Sequence, residues 1–450
     1  MRPVRIHDTL TGGMRELVPR AEPRVGIYAC GPTVYAPVHV GNARPYVVFS
    51  LLKRFLAHAG YEPVLVVNVT DVNDKIYDAA REAGVTSEQL AREMTERYRS
   101  DTGRLGLGRP DHEPLASETI GGIVDLIGAL IDRGHAYATG GDVYFRVGSF
   151  DGYGELSNRT LDEADQGEPD DVAGSTAVKE SPHDFALWKA HKAGEDTAWD
   201  APWGRGRPGW HIECSAMAEE LLGLDFEIHG GGSDLVFPHH ENEIAQTEAG
   251  RGEPLARLWM HNGMVRFADE KMSKSVGNIR SLGDALDEAG PQTLVMYFVS
   301  GHYRQPIEFS SVTLDEARAK IRRVRDLMRR LSDGAGTAPE PFLASLADDF
   351  NTPAALAEMF DWISDAHRRL DAGEAVADGP LREMLWLLGL ESLLEPEEDV
   401  PDAEAERLLE ERQAARADKD FATADARRDQ LRELGWEVRD TPEGPKLVRP

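Results

Sequence analysis

Val25-Gly26-Ile27-Tyr28-Ala29-Cys30 is a short apolar run closed by Gly31-Pro32, and Ala36-Pro37-Val38-His39-Val40-Gly41-Asn42-Ala43-Arg44-Pro45 follows it. An uncharged run of this length between turn formers reads as a buried strand. Downstream, Val48, Leu51, Leu52, Phe55 and Leu56 keep helical spacing, and Pro45 is expected to open that helix, since proline suits a first helical position. The order is therefore strand, glycine-containing loop, helix N-terminus. Such a terminus offers free amides and a partial positive charge to an anion, and His39 and Asn42 add side-chain donors.

Working outward, Pro63-Val64-Leu65-Val66-Val67-Asn68-Val69 is a second apolar run without alternation, as expected for a strand covered on both faces. Alternating strand and helix signals over residues 24 to 110 argue for a doubly wound parallel sheet in the α/β class. Ligands of such sheets bind beyond the carboxyl ends of the strands, where Cys30, His39 and Thr70 fall. From Asp111 the pattern changes: Ile120, Ile123, Ile127 and Leu130 mark a helix ending at Gly134, Gly140-Gly141 separates two strand-like runs, and 161–184 reads as an acidic surface loop. This middle region reads as an insertion, after which the first fold resumes near Trp210. Beyond Ser310 the pattern is almost wholly helical, and the chain ends in a turn and short strand after Gly435-Trp436.

Far downstream stands Lys271-Met272-Ser273-Lys274-Ser275, with Gly263 and Gly277 on either side. Two ammonium groups and two hydroxyls in five residues suit a polyphosphate. A lone KxxK is usually a solvated loop. Its pairing with the His39 loop favours the functional reading.

Together, His39-Val40-Gly41-Asn42 and Lys271 to Ser275 resemble the paired nucleotide signatures of class I aminoacyl-tRNA synthetases. Further stretches narrow the resemblance to the cysteinyl-tRNA synthetase family: Cys30-Gly31-Pro32-Thr33-Val34-Tyr35, Asn68-Val69-Thr70-Asp71, Pro208 to Cys214, Gly230 to Asp234 and Phe237 to Glu243. The resemblance implies a Rossmann-type catalytic domain in two halves, 1–110 and 201–262, interrupted by a connective insertion at 111–200. It further implies a stem-contact region carrying the lysine loop at 263–309, a helical bundle at 310–398, and a small C-terminal α+β anticodon-binding domain at 399–450. The implied reaction joins L-cysteine to ATP, giving cysteinyl-adenylate and pyrophosphate, and then transfers cysteine to the 3′ end of tRNA(Cys). His39, Asn42, Lys271 and Lys274 are the candidates for aligning and stabilising the phosphates, Lys274 foremost. Gly230, Gly231 and Gly232 are expected to let backbone approach the nucleotide, with Asp234 accepting from it. Thr70 and Trp210 are expected at the cysteine. ATP is expected with Mg²⁺.

His239 and Glu243 are four residues apart and share a face if helical. With Cys30 and Cys214 they make a set of two sulfurs, one nitrogen and one oxygen that suits zinc. Spacing leaves His240 nearly as good a ligand; the resemblance implies His239, with one Zn²⁺ per chain. Zinc answers a chemical need, because an apolar pocket separates near-isosteres such as cysteine and serine by only about 10 to 200-fold. Three departures from the family pattern stand out: Asn42 replaces a second histidine, Asn73 an aspartate, and Leu115 an arginine.

At 450 residues the chain is long enough for several domains, and 41% hydrophobic with 29% charged residues is an ordinary globular composition. The first residues lack a signal peptide's apolar stretch, and no run nears the roughly 20 apolar residues of a membrane span. A cytoplasmic protein without membrane contact is expected, acting as a monomer. Two cysteines exclude a disulfide framework. A net charge of -29 is awkward for tRNA binding, but Arg318, Arg322, Arg325 and Arg329 line one face of a candidate helix. A related ligase that joins activated cysteine to an amino sugar is the nearest rival, and it lacks an anticodon-binding domain.

Overall fold

A computed structural model describes residues 1–160, 179–267, 280–395, 403–434, 436–441 and 444–448. The chain divides into two compact units, Met1–Ser392 and Leu393–Pro450.

The first unit opens with the hairpin β1 (Arg5–Asp8) and β2 (Gly13–Glu16) and then enters β3 (Arg24–Ala29), α1 (Val40–His58) and β4 (Glu62–Val67). The helical pair α2 (Asp74–Ala83) and α3 (Ser87–Gly103) leads to α4 (Ile120–Asp132). An antiparallel sheet follows, β5 (Ala136–Thr139), β6 (Asp142–Phe145), β7 (Phe185–Ala190) and β8 (Gly206–Pro208), joined in that order. The α/β pattern then returns as α5 (Trp210–Leu222), β9 (Phe226–Gly232), α6 (Glu241–Arg251), β10 (Ala256–Asn262) and β11 (Val265–Phe267).

The main sheet has the order β10-β9-β3-β4, all parallel. Residues 112–115 add parallel pairing outside β4, at Val66 with His112 and Val69 with Leu115. The chain runs from β3 to β4 on one side and later fills β9 and β10 on the other, so the order reverses between β3 and β9. Successive residues of a strand point to opposite faces. In β9, His229 meets Glu243 of α6, whereas the vacant Cβ position of Gly230 lies 2.1 Å from Phe49 Cζ of α1. Helices thus cover both faces, the doubly wound arrangement read from the unalternating strands.

The first helix corrects one local expectation. Pro45 does not open α1: the helix begins at Val40, with His39 as its N-cap in extended backbone, and Pro45 lies inside it. The His39 amide donates to Asn42 Oδ1 at 3.3 Å, and the Asn42 amide to His39 O at 2.9 Å, so this reciprocal cap fixes the start five residues ahead of the proline.

Past residue 280 come α7 (Leu282–Ala289), α8 (Pro291–Ser300) and β12 (Ile307–Phe309), which pairs in parallel with β11. The helices α9 (Ser311–Met328), α10 (Glu340–Ala347), α11 (Thr352–Asp371) and α12 (Gly379–Leu387) complete the unit. The second unit holds α13 (Ala403–Ala417), α14 (Phe421–Glu433) and the hairpin β13 (Glu437–Thr441) and β14 (Gly444–Val448), closed over Ala405, Leu408, Leu431, Trp436 and Leu447. It is α+β, as expected. Of the acidic stretch at 161–184, residues 161–178 lie outside the described residues.

Candidate active site and metal centre

At the reversal of strand order, the carboxyl ends of β3 and β9 come side by side: the Cys30 amide donates to Gly230 O at 2.9 Å. A cleft of about 350 Å³ opens there, lined by Cys30 to Thr33, His39, Asn42, Lys75, Trp210, Gly232, Asp234 and residues 263–265. This is the position at which open α/β sheets bind ligands.

Cys30 at the end of β3, Cys214 in α5, His239 in the turn before α6 and Glu243 in α6 bring one donor atom each within 4.8 Å of one another, all buried. His239 Nε2 lies 3.5 Å from Cys30 Sγ and 3.1 Å from Glu243 Oε1. An overlapping set shares Cys30 and Glu243 and adds His229 and His240, with His240 Nε2 at 3.4 Å from Cys30 Sγ. Both histidines left open by spacing therefore reach the same sulfur, and Cys214 belongs to the set containing His239. Burial pushes the Cys30 thiol well above its ordinary range, and Cys214 and Glu243 push it further. Two thiols and a carboxylate enclosed with neutral imidazoles are a donor set for a cation. Two sulfurs, one nitrogen and one oxygen fit zinc in particular.

The donors are held from behind. His239 Nδ1 is 2.9 Å from His211 Nδ1, which leaves Nε2 for a metal, and the Trp210 ring stacks on His239 at 4.4 Å between centroids. Glu243 Oε2 is 2.9 Å from His229 Nε2. His240 Nδ1 is 2.7 Å from His261 Nε2, whose Nδ1 is 2.8 Å from Thr9 Oγ1. Burial pulls His211, His239 and His261 down to about 3, so all three are neutral near pH 7.

On the other wall, His39 caps α1 and its imidazole folds over Gly41, where a Cβ would lie 2.8 Å from His39 Cε1. Burial lowers the His39 pKa, partly offset by Asp234 across the cleft, and burial raises that of Asp234. His39 pairs with Ser281, and Leu282 N donates to Val38 O at 2.8 Å. Lys271 and Lys274 lie outside the described residues; the described chain resumes at Arg280, beside Val38 to Val40.

Three expectations change. Gly230 and Gly231 do not line the cleft: Phe49 fills the space beside one, and Leu235 and His240 crowd the other at 2.9 and 3.2 Å from an added Cβ. Of the three glycines, only Gly232 is among the residues that line the cleft. Thr70 is not a lining residue either. It is buried behind Pro32 to Val34, its amide donating to Pro32 O, and its hydroxyl receives the Asn68 amide at 3.3 Å.

The family model for the class I (C) catalytic domain of tRNA synthetases matches residues 16–319, a DALR domain matches 341–390, and the cysteinyl-tRNA ligase anticodon-binding domain matches 399–445. A cysteine–tRNA ligase of Halorhodospira halophila is 46% identical over 464 residues, covering 99% of both chains. The chain belongs to the cysteine–tRNA ligase family. A second member, from Geobacter metallireducens, is 42% identical over 98% of both chains. In fold, the chain is similar to Mycobacterium tuberculosis methionyl-tRNA synthetase in complex with methionyl-adenylate, with TM-score 0.57 and 15% identity over 89% of this chain and 96% of that one. Besides His240, which spacing leaves open as a ligand, His211 stands inside the ligase signatures and His229 just before Gly230, and spacing assigns no role to either. Their crowding there, among only 14 histidines in the chain, is the signal a sequence offers for them.

Proposed function

We propose that Cys30, Cys214, His239 and Glu243 hold one zinc ion per chain and that this centre selects cysteine. The single observation behind the reading is the buried set of four donors within 4.8 Å, opening beside Trp210 on the cleft. The chain is an ATP-dependent ligase of its family: it activates L-cysteine to cysteinyl-adenylate with release of pyrophosphate and then charges tRNA(Cys). Bound zinc would hold the substrate sulfur as a thiolate, a soft donor that the hydroxyl of serine does not match.

The protein's own groups do the aligning. Trp210, stacked on His239, walls the substrate side chain. A cysteine carboxylate oxygen attacks the α-phosphorus of ATP, the P–O bond to pyrophosphate breaks, and the terminal ribose hydroxyl of tRNA later displaces AMP from the carbonyl. His39 and the amides of the first turn of α1 face the phosphates, where a dipole and neutral donors stabilise developing charge. Asn42 spends its oxygen on the His39 amide and keeps the cap in place. Asp234 accepts from the nucleoside, and Lys271 and Lys274 complete the phosphate site, with Mg²⁺ entering on ATP. Both cysteines are free and buried, and among the described residues no helix is long and apolar enough to cross a membrane. Free thiols and a tRNA substrate support a cytoplasmic location.

The test is metal analysis with cysteine-dependent exchange of pyrophosphate into ATP, followed by charging of tRNA(Cys). Wild-type protein is expected to carry about one zinc, on the four-ligand count of such sites. Cys214→Ser should lose most of the zinc and bind cysteine weakly. Unchanged zinc content in that variant refutes the metal assignment, and exchange without charging refutes the tRNA acceptor.

A further inference from the structure

We infer that Arg44 is a positioning residue for the nucleotide end of the cleft, acting through the backbone of Gly263 and Met264. The inference rests on the reading that the cleft between His39 and Asp234 takes ATP. Arg44 lies in α1 just past the turn that carries His39 and Asn42, and it is 1% exposed. Among the described residues it has no carboxylate partner. Instead its guanidinium grips three carbonyls on two separate segments: Nη1 donates to Gly263 O and to Met264 O, the latter at 3.4 Å, and Nη2 donates to His302 O at 2.9 Å.

A buried cation without a counter-ion costs free energy. Burial draws its pKa down to about 10, so it keeps its charge at neutral pH. What the arrangement gains is geometric. Gly263 and Met264 line the cleft opposite the start of α1, and they are held from their other side as well. Gly263 N donates to Tyr303 O at 2.7 Å, Ile307 N donates to Met264 O at 3.0 Å, and a Cβ on Gly263 would stand 2.5 Å from Gln305 C and O. Arg44 therefore ties one wall of the cleft, carrying His39 and Asn42, to the facing wall. The planar fork fixes that separation. A lysine, a point charge on a flexible stem, cannot span three carbonyls.

The experiment is steady-state pyrophosphate exchange on full-length, zinc-loaded enzyme, varying ATP and cysteine separately, for Arg44→Lys, Arg44→Met, Gly263→Ala and His39→Asn. Misplacement of a positioning wall by about 1 Å can cost up to about 100-fold. The KM for ATP is expected to rise about tenfold or more in both Arg44 variants and in Gly263→Ala, while the KM for cysteine and the zinc content stay at wild-type values. A parallel rise in both KM values, or loss of zinc, overturns the inference in favour of a general structural role. Wild-type ATP kinetics in Arg44→Lys overturn it too, because charge without the fork would then suffice. Should Arg44→Met fail to fold, Arg44→Lys and Gly263→Ala decide the matter by the same criteria. His39→Asn separates the two levels. If it leaves ATP kinetics untouched, the cleft is not the nucleotide site and the Arg44 inference falls with that reading; if only the Arg44 and Gly263 variants are normal, the Arg44 inference alone falls.

Discussion

For the proposed zinc site, His239 depends on His211. The 2.9 Å approach of their Nδ1 atoms requires one ring to donate and the other to accept, and when His239 donates, its Nε2 lone pair is free for a metal. Partners of this kind tune metal affinity by about 10 to 100-fold. His211→Ala is therefore expected to weaken zinc by about that factor, measured by competition with a chelator, while leaving all four donors in place; unchanged affinity contradicts the role. The same buried imidazoles set an acid limit. His211, His239 and His261 fall from the ordinary 6.5 to about 3 in the folded chain. As pH drops below 6.5 the unfolded chain takes up protons that the folded chain refuses. Stability present above pH 6.5 is thus lost progressively toward pH 3, at up to about 1.4 kcal/mol per group per pH unit. Glu213, Asp71, Asp101, Asp234 and Glu248, pushed upward by burial, have the opposite sign, while His39, His240 and His302, also lowered by burial, act in the same sense as the three. Urea titrations at pH 7.5, 6.5 and 5.5 should show falling stability both with and without EDTA, since the effect belongs to the apoprotein. A flat profile with EDTA contradicts it.

At the scale of elements, α1 sets helix propensity against side-chain position. Gly41 sits inside the helix without a positive φ, so alanine is favoured there by about 0.5–1 kcal/mol. Its Cβ, however, would come within 2.8–2.9 Å of the His39 ring. A side chain gives way more readily than backbone, so Gly41→Ala should keep or raise the melting temperature while pyrophosphate exchange drops about tenfold or more, on the sensitivity of positioned groups. Exchange at the wild-type rate would show that the ring does not need its place over Gly41. The same helix marks how far the sequence can be read. Apolar runs at 25–30 and 63–69 became β3 and β4 because a strand buried on both faces needs no alternation, and periodicity alone carries that. The start of α1 departs from the sequence reading because a histidine cap closed by an asparagine outweighs the proline signal. Of the proposed donors, the two cysteines and Glu243 are suggested by the scarcity of cysteine and the local run His239-His240-Glu241-Asn242-Glu243, whereas the choice of His239 over His240 rests on the family resemblance. The ring behind them is not legible. His211, His229, His261 and Thr9 come from separate segments, and the parallel register of β9 with β10, which sets His229 against Trp259 and Gly231 against His261, supplies part of what brings them together. Gly230 escapes a reading from sequence for a related reason: its close neighbour, Phe49, is far off along the chain.

For the whole molecule, a net charge of -29 must be reconciled with a polyanionic substrate. The arginines of α9 supply local positive charge, but the structure shows it already shared: Arg318 pairs with Asp315 at 2.8 Å, Arg329 with Asp326 at 3.8 Å, and Arg325 donates to Gln292. Exposed pairs of this sort are worth only about 0–1 kcal/mol, so phosphates can displace the aspartates at little cost, and the bound state is expected to be strongly salt-dependent. The second unit has its own core and matches an anticodon-binding domain, so its share in tRNA binding can be tested apart from the cleft. A chain ending at Ser392 keeps the sheet, the donors and the cleft, all of which lie in the first unit. It should therefore retain pyrophosphate exchange near the wild-type rate and its zinc. Charging of tRNA(Cys) should fall about tenfold or more, since each phosphate that the protein no longer neutralises lowers affinity and flattens the salt dependence by roughly 0.7–0.9 in log–log slope. If truncation abolished exchange as well, the catalytic unit would depend on the second for its fold, and separate cores would no longer imply separate duties. Exchange kept while charging and its salt slope fall together assigns cysteine and ATP to the first unit and part of the grip on tRNA to the second.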